Sequence, residues 1–190
     1  MRRIEKDFVT LFNVLWYRDF PLSQNHKKSG SRAEWTTHIG VCIRTCADLL
    51  GRFTYFEQGN RTDAIIKDNK NNDIAHIEWE WTQPFNEKVN EISKLYNYRN
   101  KADFSVFIGY SNVQNLNKCK ISIEKQWRSC SDKLLVFLIT YKRSGKKRDF
   151  EQLISYELKR GKLHKIRFQD ALPWRVSGSR WEERDIKTSD

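Results

Sequence analysis

The sequence of 190 residues predicts an α/β sandwich with a central mixed β-sheet flanked by helices. Three observations carry that expectation. Two N-terminal stretches repeat their apolar residues at helical spacing. After Gly51 the pattern changes to short alternating segments rich in aromatic and β-branched residues. A nearly all-apolar segment at 134–141 (LLVFLITY) has to be covered on both faces.

Each element follows in order. Ile4, Phe8, Leu11, Phe12 and Leu15 share one face of a helix over 4–17, which Pro21 ends. Residues 26–32 (HKKSGSR) form a basic loop, and Ser29 or Ser31 caps a second helix over 32–50. Its stripe is Trp35, Ile39, Cys42, Cys46, Leu49 and Leu50, and Gly51 lies just past its end. Segments 52–58, 62–67 and 74–81 read as an antiparallel meander with turns at Gly59-Asn60 and at 68–73. Pro84 stops it. Asn86 is placed to cap a helix over 86–98, with Val89, Ile92, Leu95 and Tyr96 inward. A fourth strand at 103–110, a helix at 121–130 and the strand at 134–141 follow. A basic turn spans 142–148, and a hairpin over 150–158 and 163–168 turns at Gly161. The domain is expected to span 1–176, with a polar tail at 177–190.

Apolar residues make up 38% of the chain, too many for a disordered protein and too few for a membrane protein. No apolar run has the length that crosses a bilayer, and the charged start lacks the apolar stretch of a signal peptide. A soluble cytoplasmic protein without a membrane partner is the expectation. The four cysteines, Cys42, Cys46, Cys119 and Cys130, include no CxxC pair and read as buried free thiols. The net charge of +11 favours a polyanionic partner, double-stranded DNA first. Residues Lys142, Arg143, Lys146, Lys147 and Arg148 are the candidate DNA contacts. Smaller basic groups lie at Lys27, Lys28 and Arg32 and at 159–167.

The chemistry concentrates in 61–81 (RTDAIIKDNKNNDIAHIEWEW). In a strand, residues two apart point to one face, about 6.6 Å from each other. His76, Glu78 and Glu80 therefore share a face, and Ile77, Trp79 and Trp81 share the other as core. The short turn brings the start of the second strand, Asp63, beside the end of the third. Three carboxylates gathered there repel one another. A hard divalent cation resolves the repulsion and is suited to phosphodiester hydrolysis. Taken alone, Glu78 and Glu80 fit the solvated side of a half-exposed strand better; Asp63 across the hairpin, the following helix and the basic charge turn the reading toward a site. His76 fits a neutral hydrogen-bonded partner.

An acid opening one strand, an acid-x-lysine in the next, then a helix and a strand, is the pattern this sequence resembles: the PD-(D/E)XK nuclease superfamily, restriction endonuclease-like in fold. The matched residues are Thr62-Asp63 and Glu78-Trp79-Glu80, with Glu78 fifteen positions after Asp63, and the resembling core covers about 32–110. Thr62 stands where the family often has proline, and Glu80 where it has lysine. An E-x-E variant resembles that of some restriction enzymes, in which the second Glu acts as general base.

The resemblance implies a metal-dependent endodeoxyribonuclease, type II-like, with Mg²⁺ or Mn²⁺ held by Asp63 and Glu78. Glu80 would orient or deprotonate the attacking water. Lys67, Lys88 or Lys94 could supply the missing lysine. Glu57 and Glu34 are further acids near the site, each read first as a surface carboxylate and only second as a further ligand. A homodimer is expected, since one small domain carries one site. The alternatives are a non-catalytic nucleic-acid-binding protein with a degenerate nuclease fold and, more remotely, a glycosidase pair, which needs carboxylates on opposite faces of a sugar.

Overall fold

The structure, a computed structural model, describes residues 1–18, 20, 31–58, 62–127, 131–145 and 147–178. Helices α1 (Arg3–Arg18) and α2 (Arg32–Leu49) precede strands β1 (Phe53–Gln58), β2 (Thr62–Lys67) and β3 (Asp73–Glu80). Then α3 (Glu91–Asn97), β4 (Phe104–Asn112), α4 (Leu116–Trp127), β5 (Leu134–Ser144), β6 (Lys147–Lys159) and β7 (Lys162–Asp170) complete the order. The fold is mixed α/β, with one seven-stranded sheet and four α-helices among the described residues.

The strands lie in the sheet in the order of the sequence. β1, β2 and β3 are antiparallel; β3, β4 and β5 are parallel; β5, β6 and β7 are antiparallel again. Antiparallel neighbours need only short turns, whereas the two parallel steps need crossovers, and α3 and α4 supply them. Crossovers of one hand stepping in one direction put both helices on one face. Accordingly, Ile92 and Leu95 of α3 and Ile123 and Trp127 of α4 pack against Phe107, Val136 and Leu138. Helices α1 and α2 cover the opposite face. There Phe8, Phe12, Trp16 and Trp35 pack on Ile66, Ile77, Val106 and Phe137. β5, buried from Leu134 to Tyr141, is covered on both sides as its sequence predicts.

The expected meander forms within a residue or so of the predicted bounds, and Ser31 caps α2 in a reciprocal capping box with Glu34. Three expectations are corrected. The helix expected over 86–98 begins only at Glu91, because the Asn86 side chain spends its oxygen on the Lys88 N–H in a local turn. The helix expected over 121–130 is instead Leu116–Trp127, its buried stripe being Cys119, Ile123 and Trp127. The stretch 142–148 is mostly strand: β5 and β6 stay paired through Arg143↔Arg148 and Ser144↔Lys147.

The β6–β7 turn falls at Gly161 as expected, with Arg160 and Gly161 both at positive φ. Cys42, Cys46 and Cys119 are buried free thiols. No described helix is long and apolar enough to cross a membrane. The turn at Gly59-Asn60, the stop at Pro21, Cys130, the loop residues 26–30 and the tail beyond 178 lie outside the described residues.

Candidate active site

The pairing of Ala64 with Ile77 carries Asp63 to the level of Glu78 on the neighbouring strand. Since side chains alternate along strands, Asp63 and Glu78 then point to the face that α3 covers, opposite the Ile66 and Ile77 core. Asp63 Oδ2 accepts the Trp79 N–H at 2.8 Å, which fixes its carboxylate across the hairpin. Glu78 has only 1% of its side chain exposed, and its Oε2 lies 3.2 Å from Lys94 Nζ on α3.

The electrostatics follow from that crowding. Burial, then the charge of Asp63, push the Glu78 carboxyl up to about 8. Burial likewise raises Asp63, although the Trp79 N–H and Lys94 pull it back, and protonated Glu78 hydrogen-bonds to it. The two form a coupled carboxyl pair that retains a proton near neutral pH. Desolvation disfavours the Lys94 ammonium, but the Glu78 carboxylate outweighs it and holds Lys94 above its ordinary value.

Glu80 sits one turn of the pleat further on. Its Oε1 accepts the Thr82 N–H at 2.6 Å and lies 3.9 Å from the Arg32 guanidinium. A cavity of about 260 Å³ opens here between α2 and the ends of β2 and β3. Asp63 and Glu80 line it together with Glu57 and Glu91; Arg32, Thr36 and Tyr110 line the side toward α2. The hairpin thus brings Asp63 beside Glu78, and Asp63 and Glu80 border one cavity. Among the described residues no three His, Cys, Asp or Glu side chains converge as a metal cage.

The other candidates divide clearly. Lys94 is the lysine that reaches the acids. Lys67 is bound 2.7 Å from Asp73 at the opposite end of the strand, where His76 also contacts Asp73 at 2.8 Å. Lys88 is exposed. Glu57 borders the site and raises Asp63, whereas Glu34 is spent on the α2 cap. Of the basic group, Lys142 pairs with Glu151 at 3.2 Å, and Arg143 and Lys147 are exposed. Lys146 lies outside the described residues.

Arg148 does not fit a DNA contact. Its guanidinium sits over the Trp81 ring at 4.1 Å and the Tyr141 ring at 4.4 Å, and donates to the Trp81 carbonyl at 3.0 Å. It serves packing instead. Arg32, Thr36, Glu91 and Tyr110 were not singled out for the site by sequence. Glu91 and Lys94 share one helical face by their spacing of three. That signal becomes useful only once α3 is known to cross over β3.

No known protein family matches the chain, and no curated protein matches it. Among solved structures, the YaeQ protein from Pseudomonas syringae is similar over 62% of this chain and 67% of its own, at 9% identity and a TM-score of 0.31. A likeness that slight carries no argument about fold family or activity.

Proposed function

We propose that this chain is a Mg²⁺- or Mn²⁺-dependent DNA endonuclease that hydrolyses phosphodiester bonds in double-stranded DNA. It would be a type II-like restriction enzyme with a restriction endonuclease-like fold. The observation that carries the reading is the Asp63–Glu78–Lys94 group. Lys94 reaches Glu78 from the following helix and so supplies the lysine that Glu80 displaces from the strand.

The residues fit a divalent cation. Two adjoining, largely buried carboxyls, one of them forced to keep a proton near neutral pH, are relieved when a cation replaces that proton. Mg²⁺ is commonly held by one or two carboxylates, with water and substrate phosphate completing its shell, so a full protein cage is not required. Asp63 and Glu78 would hold it, and the bound ion would supply Lewis acidity toward the phosphate and a more acidic attacking water. Glu80, with Oε1 tied to the Thr82 N–H, is placed to orient that water. Lys94 would steady Glu78 and offset negative charge on the phosphate. Arg143 and Lys147 are proposed backbone contacts. Cutting both strands calls for a second site, hence a homodimer.

Supercoiled plasmid with Mg²⁺ tests the reading. Nicked or linear product that disappears with EDTA, and in Asp63→Ala and Glu78→Ala, supports the enzyme. DNA binding that survives EDTA without any cleavage supports the second reading, a non-catalytic binding protein on a degenerate nuclease fold. The replacement of the strand lysine by Glu80 is the feature that favours it.

A further inference from the structure

The cavity beside the carboxylates has an opposite wall of a different character. Arg32 and Thr36, one helical turn apart on α2, line it, and so does Tyr110 at the end of β4. Arg32 is 67% exposed, and its contact with Glu80 at 3.9 Å is long for an ion pair. Tyr110 is 2% exposed, and its hydroxyl has no hydrogen-bond partner among the described residues. Arg32 acts electrostatically on both Tyr110 and Arg148, so positive potential gathers on this side of the cavity. Within α2 the Glu34 N–H is already taken by Ser31.

We propose that Arg32 and Thr36 form a phosphate subsite for the nucleotide next to the bond being cut. The proposal rests on the nuclease reading for the identity of the ligand. One wall carries carboxylates that take a phosphate only through a cation. The facing wall carries the Arg32 guanidinium and the Thr36 hydroxyl, which take a phosphate directly. A cavity of about 260 Å³ spans the two. Arg32 is thereby a binding residue that sets which phosphate lies against Asp63. The bound phosphate, not Glu80, is its partner in the complex.

Isothermal titration with three probes in Ca²⁺ buffer tests this: thymidine 3′,5′-bisphosphate, thymidine 5′-monophosphate and thymidine 3′-monophosphate. The wild type binds the bisphosphate more tightly than either monophosphate. Arg32→Gln loses about ten- to hundredfold for the bisphosphate, as expected for a lost charge-assisted contact, and leaves the weaker monophosphate affinity in place. Arg32→Lys recovers part of the loss. Lys6→Gln, on the outer face of α1, changes nothing.

A bisphosphate that binds no better than the monophosphates overturns the subsite. So does an Arg32→Gln variant that loses all three probes equally, or a wild type that binds none. Plasmid cleavage by the wild type is read separately, so the nuclease reading can stand or fall without the subsite.

Discussion

The Lys94 ammonium lies 3.2 Å from the Glu78 carboxylate, joining α3 to the strand it follows by a contact sixteen residues apart. In the proposed function that contact supplies the lysine that the strand lacks at Glu80. It also sets a division of labour among three charged groups on one hairpin and one helix.

If Lys94 serves the reaction rather than the fold, its loss falls on turnover. Lys94→Met is expected to lower kcat about 100- to 1000-fold, the scale of one preorganised electrostatic contact. Duplex affinity in Ca²⁺ should change far less. Steady-state cleavage beside fluorescence anisotropy measures both, and a loss confined to affinity would contradict the assignment.

Glu78 makes the metal-free protein pH-sensitive. Its carboxyl rises from 4.5 to about 8 on folding, so the folded state holds a proton that the unfolded chain releases. For an acid shifted upward, stability is greatest below the lower value and falls as pH climbs from 4.5 to about 8. In EDTA, urea midpoints should decline across that window, and Glu78→Gln should flatten the decline. At pH 8 the variant should be the more stable by at least about 1 kcal/mol, since a tenfold difference in proton affinity between the folded and unfolded states corresponds to about 1.4 kcal/mol.

Glu5 predicts the opposite sign. Its side chain is 0% exposed, with Arg2 at 2.8 Å and Lys133 at 3.1 Å. Burial raises its carboxyl, but the hydrogen bonds from Arg2 and Lys133 together prevail and hold it below 4.5. The stability it contributes is present above that value and is lost as pH falls through the folded one. Glu5→Gln should cost about 2 kcal/mol at pH 7 and much less in strong acid, as urea denaturation at both pH values will show.

Arg148 separates packing from DNA contact within one basic stretch. Stacked between Trp81 and Tyr141 and bonded to the Trp81 carbonyl, it should not tolerate lysine, which lacks the planar fork. Arg148→Lys is expected to lower stability by about 1–2 kcal/mol in thermal unfolding. Arg143→Gln and Lys147→Gln should leave stability alone and reduce the salt slope of duplex binding by about one each.

The hairpin geometry is legible in the sequence, because alternation and a short turn leave few ways to place Asp63 against Glu78. Burial of 134–141 is legible for a similar reason: an unbroken apolar run has no solvent face. Other features depend on tertiary context. Val89 is buried without being helical, so its spacing from Ile92 imitates a helix that starts only at Glu91. Arg148 has the setting of a turn residue in the sequence, and only the fold encloses it with Tyr141 of β5 and Trp81 just past β3. Tyr110 is one position in a strand pattern, and nothing local marks its hydroxyl as unpartnered. Lys94 is one of three lysines within reach by chain distance, and only the crossover of α3 over β3 selects it.

The proposed chemistry requires Asp63 and Glu78 to hold a divalent cation together. Calorimetric titration of Mn²⁺ into the metal-free protein at pH 7 tests this most directly. One site per chain is expected, and its occupation should release protons, because carboxylate ligands must give them up. Asp63→Asn and Glu78→Gln should each abolish that site while Glu34→Gln preserves it. Mn²⁺ uptake unchanged in both variants, or absent from the wild type, would contradict a shared cation at these two carboxylates.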